Sequence, residues 1–157
     1  MRMGGVIIVF IACVLPVGAA QAIQVDHLTQ SQLLEKAREL NAKAQGPEGA
    51  ASARLSEYPN HFTMISLRSK DGGAEIHEAF ADFFFVVQGS ATLVNGGSVE
   101  GGVAVSPGEI RGKSVVNGTR TTLNQGDIVH IPATVPHQLL VPQGETFAYF
   151  VIKVKEK

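Results

Sequence analysis

Glu75-Ile76-His77-Glu78-Ala79-Phe80-Ala81-Asp82-Phe83-Phe84-Phe85-Val86-Val87-Gln88-Gly89 is the stretch whose reading decides the fold. In an extended strand residues i and i+2 point to the same face, so Glu75 and His77 aim into one cavity. The Phe83–Val87 run after Asp82 reads as the next buried strand. A second stretch, Gly126-Asp127-Ile128-Val129-His130-Ile131-Pro132-Ala133-Thr134-Val135-Pro136-His137, carries another imidazole on strand-like sequence. Imidazole and carboxylate side chains that converge from separate strands suit Zn, Mn, Fe, Ni or Cu, and do not choose among them.

From His61 onward the chain is strand signal broken by turns. Phe62–Ser69, Glu75–Ala79, Phe83–Val87, Ala91–Val94, Arg120–Leu123, Ile128–Ile131, Gln138–Val141 and Thr146–Val154 are the predicted strands. Asp71-Gly72-Gly73, Asn95-Gly96-Gly97, Asn117-Gly118, Gln125-Gly126-Asp127 and Pro142-Gln143-Gly144 separate them. Many short strands with regular turns mean an all-β sandwich or barrel. One helix is predicted ahead of them, over residues 29–44. Thr29-Gln30-Ser31-Gln32 forms a capping box, Leu33, Leu34, Ala37 and Leu40 recur at helical spacing, and Gly46-Pro47 ends the pattern. Gln45–Ser56, rich in Gly, Ala and Ser, reads as a mobile connection.

The second stretch resembles the second cupin motif: glycine, five residues, proline, one residue, glycine, two residues, histidine. Only the second glycine departs, with Thr134 in its place. The first stretch is similar to the first cupin motif, His-x-His, three or four residues, Glu, six residues, Gly. His77 and Gly89 match, Glu75 stands where the first His would be, and Asp82 where the Glu would be. The resemblance covers roughly Phe62–Val154 and implies a double-stranded β-helix, the jelly-roll barrel of a small single-domain cupin. It also implies metal binding by Glu75, His77, Asp82 and His137. Two neutral imidazoles and two carboxylates balance a divalent cation. If Glu75 turns away, His77, Asp82 and His137 leave the two-His-one-carboxylate arrangement used by non-haem Fe(II) oxygenases.

The first residues stand outside the fold. Arg2 gives a positive start, Val6–Val17 is uncharged and apolar, and Ala20-Gln21-Ala22 supplies a small-residue ending. These are the marks of a secretory signal cleaved after Ala22, and the apolar segment falls short of the roughly 20 residues that span a bilayer. The predicted organisation is a signal over 1–22, a helix and linker over 23–57, and a barrel over 58–157, with the protein periplasmic or secreted. The single cysteine, Cys13, leaves with the signal, so the mature chain is no disulfide scaffold. A formal net charge of −1 offers no basic surplus for nucleic acid or for an anionic membrane.

Other residues carry weaker signals. His130 either lines the pocket or faces outward; His27 and His61 are expected to be solvated. Glu109 and Arg111 lie between the motifs, in a stretch expected to loop over the barrel mouth, as a local ion pair or with Arg111 binding a carboxylate ligand. Phe80, Phe83, Phe84 and Phe85 read as core, and Asn117-Gly118 as a surface turn. Two functions fit: a metalloenzyme acting on a small molecule, as a dioxygenase, isomerase or lyase, or a module that binds or senses a small ligand without turnover. Small cupins are often homodimers, and Phe62–Ser69 or Thr146–Val154 is the expected edge for such pairing.

Overall fold

The structure is a computed structural model that describes residues 25–156; the predicted export signal, its cleavage site and Cys13 lie outside the described residues. Helix α1 (Gln30–Glu39) opens on the predicted capping box. The Gln32 amide donates to Thr29 Oγ1 at 3.3 Å, and the Thr29 amide donates to Gln32 Oε1 at 2.8 Å. The expected helix over 29–44 divides at Leu40, whose amide turns back to the Ala37 carbonyl at 3.1 Å, and resumes as the short α2 (Asn41–Ala44). No helix among the described residues is long and apolar enough to cross a membrane.

Thirteen strands follow: β1 (Ala50–Glu57), β2 (His61–Arg68), β3 (Ala74–His77), β4 (Phe80–Gln88), β5 (Ser90–Asn95), β6 (Ser98–Glu100), β7 (Val103–Ser106), β8 (Glu109–Gly112), β9 (Ser114–Val116), β10 (Thr119–Asn124), β11 (Ile128–Ile131), β12 (His137–Leu140) and β13 (Phe147–Lys155). They form a five-stranded sheet in the order β1-β2-β13-β4-β11, a six-stranded sheet in the order β10-β5-β12-β3-β8-β7, and the small pair β6-β9. The pairings are antiparallel, as expected of hairpins and jelly-roll crossings.

Period-2 alternation divides the five-stranded sheet into two faces. Phe84 and Val86 of β4 and Tyr149 and Val151 of β13 turn inward, where they pack with Leu93, Leu139 and Phe147. Their chain neighbours Phe85, Val87, Ala148 and Phe150, with Ile65 and Leu67 of β2, turn outward beneath Leu33 and Ala37 of α1. Strand β4 is therefore covered on both sides, which is why Phe83–Val87 reads as an unbroken apolar run. Gly89 ends that strand at φ +78°, and a Cβ there would stand 2.1 Å from the Thr146 carbonyl oxygen, so only glycine fits.

Three expectations about the strands need correction. Gln45–Ser56 is not merely a connection: Ala50–Glu57 is strand β1, paired along its length with β2. Its small residues suit a strand lying under α2, and they hide the alternation. Glu109–Gly112 is not a loop over the mouth but strand β8, paired with β3. Phe62–Ser69 and Thr146–Val154 are not edges, because β2 lies between β1 and β13, and β13 between β2 and β4. The edges are β1 and β11 in one sheet and β10 and β7 in the other.

Candidate metal centre

Strand register assembles the site. In the six-stranded sheet Glu75 lies opposite His137 on β12 and opposite Arg111 on β8, and His77 lies opposite Glu109. Directly opposed residues sit close enough for their side chains to touch. In the facing sheet the register sets Asp82 of β4 against Lys153 of β13. The cupin-motif positions and three unmotivated charges thus converge in one place.

The metal-binding atoms of Glu75, His77 and His137 all lie within 4.8 Å of one another. His77 Nε2 is 3.4 Å from Glu75 Oε2, and the two imidazole centroids are 5.1 Å apart. Both rings are held by their other nitrogen. His77 Nδ1 lies 2.9 and 2.8 Å from the two Glu109 carboxylate oxygens, and His137 Nδ1 lies 3.0 Å from the Val135 carbonyl. A carboxylate and a carbonyl only accept, so each Nδ1 carries a proton, and Nε2 is the nitrogen of each ring left to serve as a metal ligand. His77 Nε2 is buried without any hydrogen-bond partner. A buried polar atom left unsatisfied in this way is costly, and a metal ion would satisfy it.

The electrostatics favour ligand forms of these groups. Burial pushes the Glu75 carboxyl up, but the His77 ring and the Arg111 and Arg68 guanidiniums more than offset it and bring it to about 2, so it is ionised at neutral pH. Burial holds His137 below the usual imidazole range, which keeps its ring neutral. Arg68 steadies Glu75 from inside the barrel, with Nη2 3.3 Å from Glu75 Oε1 while its Nε donates to the Tyr149 hydroxyl at 3.2 Å.

Asp82 is near but differently engaged. Its Oδ2 lies 3.5 Å from His77 Nε2 and 3.7 Å from His137 Nε2. The Lys153 ammonium donates to Oδ2 at 2.8 Å and lies 2.6 Å from Oδ1 as an ion contact without hydrogen-bond geometry. Burial lowers Lys153 and Asp82 raises it. Glu109 and Arg111 do form the expected ion pair, at 3.0 Å, and Glu109 also orients His77, which was not foreseen.

Lys153, Arg68 and Tyr149 escaped the sequence reading. Their signal is parity: Lys153 falls on the inward positions of β13 after Tyr149 and Val151, and a lysine there interrupts an otherwise apolar face. His130 faces outward on the edge strand β11 and stacks on Phe83 at 4.3 Å. His27 is exposed, whereas His61, expected in solvent, is half-buried at the start of β2 and stacks on Tyr58 at 4.6 Å. Of the four phenylalanines, Phe84 is buried, while Phe80, Phe83 and Phe85 are half-buried.

A cavity of about 210 Å³ beside the site is lined by Arg68, Glu75, His77, Asp82, Arg111 and Lys153 among others. It adjoins a vestibule of about 680 Å³ bordered by Arg54, Tyr58, His61 and Lys155.

Solved structures share this architecture at low identity. A Klebsiella pneumoniae protein with a double-stranded β-helix domain is 15% identical over 69% of this chain and 79% of its own, with a TM-score of 0.52. The barrel is a double-stranded β-helix, the cupin fold. A Thermus thermophilus protein matches it at 12% identity over 71% of this chain and 89% of its own, with a TM-score of 0.51. A variant of salicylate 1,2-dioxygenase from Pseudoaminobacter salicylatoxidans matches at 18% identity and a TM-score of 0.52, over 79% of this chain and 32% of the dioxygenase. No family model and no curated protein matches the sequence. Within this cupin barrel the four motif residues sit on β3, β4 and β12, and their partners on β2, β8 and β13.

Proposed function

We propose that the protein is an exported metal-binding cupin, a metalloenzyme of dioxygenase, isomerase or lyase type whose substrate is a small molecule. The observation that carries the reading is the convergence of two buried imidazoles and one ionised carboxylate, with a ligand atom of each within 4.8 Å of the others. Glu75, His77 and His137 would hold the ion. They form a two-His-one-carboxylate set, in which the carboxylate is Glu75 while Asp82 is engaged by Lys153. Such a set suits Fe(II), and its donor types also accept Zn, Mn, Ni or Cu. When bound, the ion supplies Lewis-acid polarisation of a substrate oxygen or a site for dioxygen.

The chain's own groups do the rest. Glu109 fixes the His77 tautomer, the Val135 carbonyl fixes that of His137, and Arg68 holds Glu75 in place. Asp82 Oδ2, close to both imidazoles but outside the three-ligand set, is the carboxylate positioned to take a proton from a molecule in the cavity, with Lys153 balancing its charge. Support for a reaction in this barrel comes from the dioxygenase built on the same fold, and support for export from Arg2, the Val6–Val17 segment and the Ala20-Gln21-Ala22 ending.

Elemental analysis of the purified chain tests the metal. We expect about one transition-metal ion per chain, and its loss in His77→Ala and His137→Ala with a fall in thermal stability relative to the loaded protein. Full occupancy in both variants would remove the site. A loaded protein that binds small molecules without converting any would favour the binding module over the enzyme.

A further inference from the structure

We propose that the site takes a small dicarboxylate together with its metal, clamped by Arg111 and Lys153; this rests on the metal reading above. The first argument is charge closure. Glu75, Asp82 and Glu109 contribute three negative charges, and Arg68, Arg111 and Lys153 contribute three positive ones, in direct contact with them. Arg68 lies 3.3 Å from Glu75, Arg111 lies 3.2 Å from Glu75 and 3.0 Å from Glu109, and Lys153 lies 2.6 Å from Asp82. With both imidazoles neutral as ligands, the cluster is already balanced. A divalent ion therefore arrives with both of its charges uncompensated in a largely buried place, where uncompensated charge is expensive. A dianion restores neutrality.

Geometry says where the dianion sits. Three residues, His77, Arg111 and Lys153, border both the inner cavity and the vestibule, so two cations stand where the two spaces meet. Along the vestibule wall stand Lys155 and Arg54, the latter paired with Glu57 at 2.7 Å. Arg111 has donor capacity to spare: Nη1 is buried and makes no hydrogen bond, although it lies 3.2 Å from Glu75 Oε2. A guanidinium fork with an idle N–H matches a carboxylate. The cavity of about 210 Å³ has room for a three- or four-carbon diacid.

Malonate and its neutral, similarly shaped diamide, malonamide, separate charge from shape. The full chain is loaded with cobalt(II), its visible spectrum is followed during titration, and cobalt retained after desalting is measured. We expect malonate to perturb the spectrum at a concentration at least tenfold below malonamide with the cobalt retained, because hydrogen bonds to a charged carboxylate are stronger than those to a neutral amide. Arg111→Gln should weaken malonate about tenfold and leave malonamide unchanged, and Arg111→Lys should recover part of the loss. Should Arg111→Gln fail to fold, Lys153→Met combined with Asp82→Asn removes an ion pair as a unit and should weaken malonate likewise. Equal binding of the two probes, release of cobalt by malonate, or malonate binding indifferent to these substitutions overturns the clamp. A chain that takes up no cobalt overturns the metal reading and the clamp together.

Discussion

The two faces of the five-stranded sheet use the same strands for opposite purposes. Outward, Ile65, Leu67, Val87 and Ala148 meet Leu33 and Ala37 of α1 in an apolar contact. Inward, a step of one residue away, the same strands deliver Arg68, Asp82, Tyr149 and Lys153 to the candidate site. The difference shows how a small barrel keeps buried charge: the outer face supplies hydrophobic stabilisation, and the inner face spends some of it on ions paired at contact distance. Changes on the two faces should therefore separate in measurement.

The largest expected effect is on the outer face. Ile65 is fully buried, and Ile65→Ala should cost about 2–5 kcal/mol in urea unfolding while metal affinity of the folded protein stays within twofold, or about 0.4 kcal/mol. A parallel fall in metal affinity would show that the faces are coupled and break the comparison.

Acid should act next, through Glu75 and His137 of the inner face. The folded-state value of Glu75, about 2, lies below its ordinary 4.5, so its contribution is complete above pH 4.5 and is lost as pH falls toward 2. The difference amounts to about 3 kcal/mol, and Glu75→Gln should flatten that part of the stability profile. His137, held below its ordinary 6.5 by burial, erodes stability earlier, from about pH 6.5 downward, because the unfolded chain takes up a proton that the folded one resists. Chemical denaturation of metal-free protein across pH 7 to 3 checks both steps, and identical profiles for wild type and Glu75→Gln would contradict the assignment.

A smaller effect sharpens the inner face itself. Glu109→Gln keeps an acceptor but loses the charge on His77 Nδ1–H, and metal affinity should fall 10–100-fold with little change in metal-free stability. Competition with a chromophoric chelator reads it; unchanged affinity would reduce Glu109 to the partner of Arg111.

The smallest expected effect is a gain. Thr134 adopts φ +69°, a backbone region that costs a β-branched residue about 1–2 kcal/mol, and its amide donates to the His77 carbonyl at 2.8 Å. Thr134→Gly should relieve that strain and raise stability by up to about 1 kcal/mol after the extra freedom of the unfolded glycine is subtracted. A loss of stability instead would mean that the threonine side chain supports the loop.

The sequence by itself determined the strand periodicity, the capped helix, the glycine at Gly89 and the two stretches that bring Glu75, His77, Asp82 and His137 into one barrel. These are local properties: alternation, capping and backbone sterics are written within a few residues of where they act. Strand β7 is exposed along its whole length, and β6 and β9, of three residues each, are too short for an alternation to register, so they left no mark. Only the tertiary structure decided that Glu109 and Arg111 form a strand against Glu75 and His77, and that Lys153 meets Asp82 across β13 and β4. Those pairings depend on register between segments far apart in the chain. Register is set by the packing of the whole sheet, so residues facing one another across it need share no local pattern.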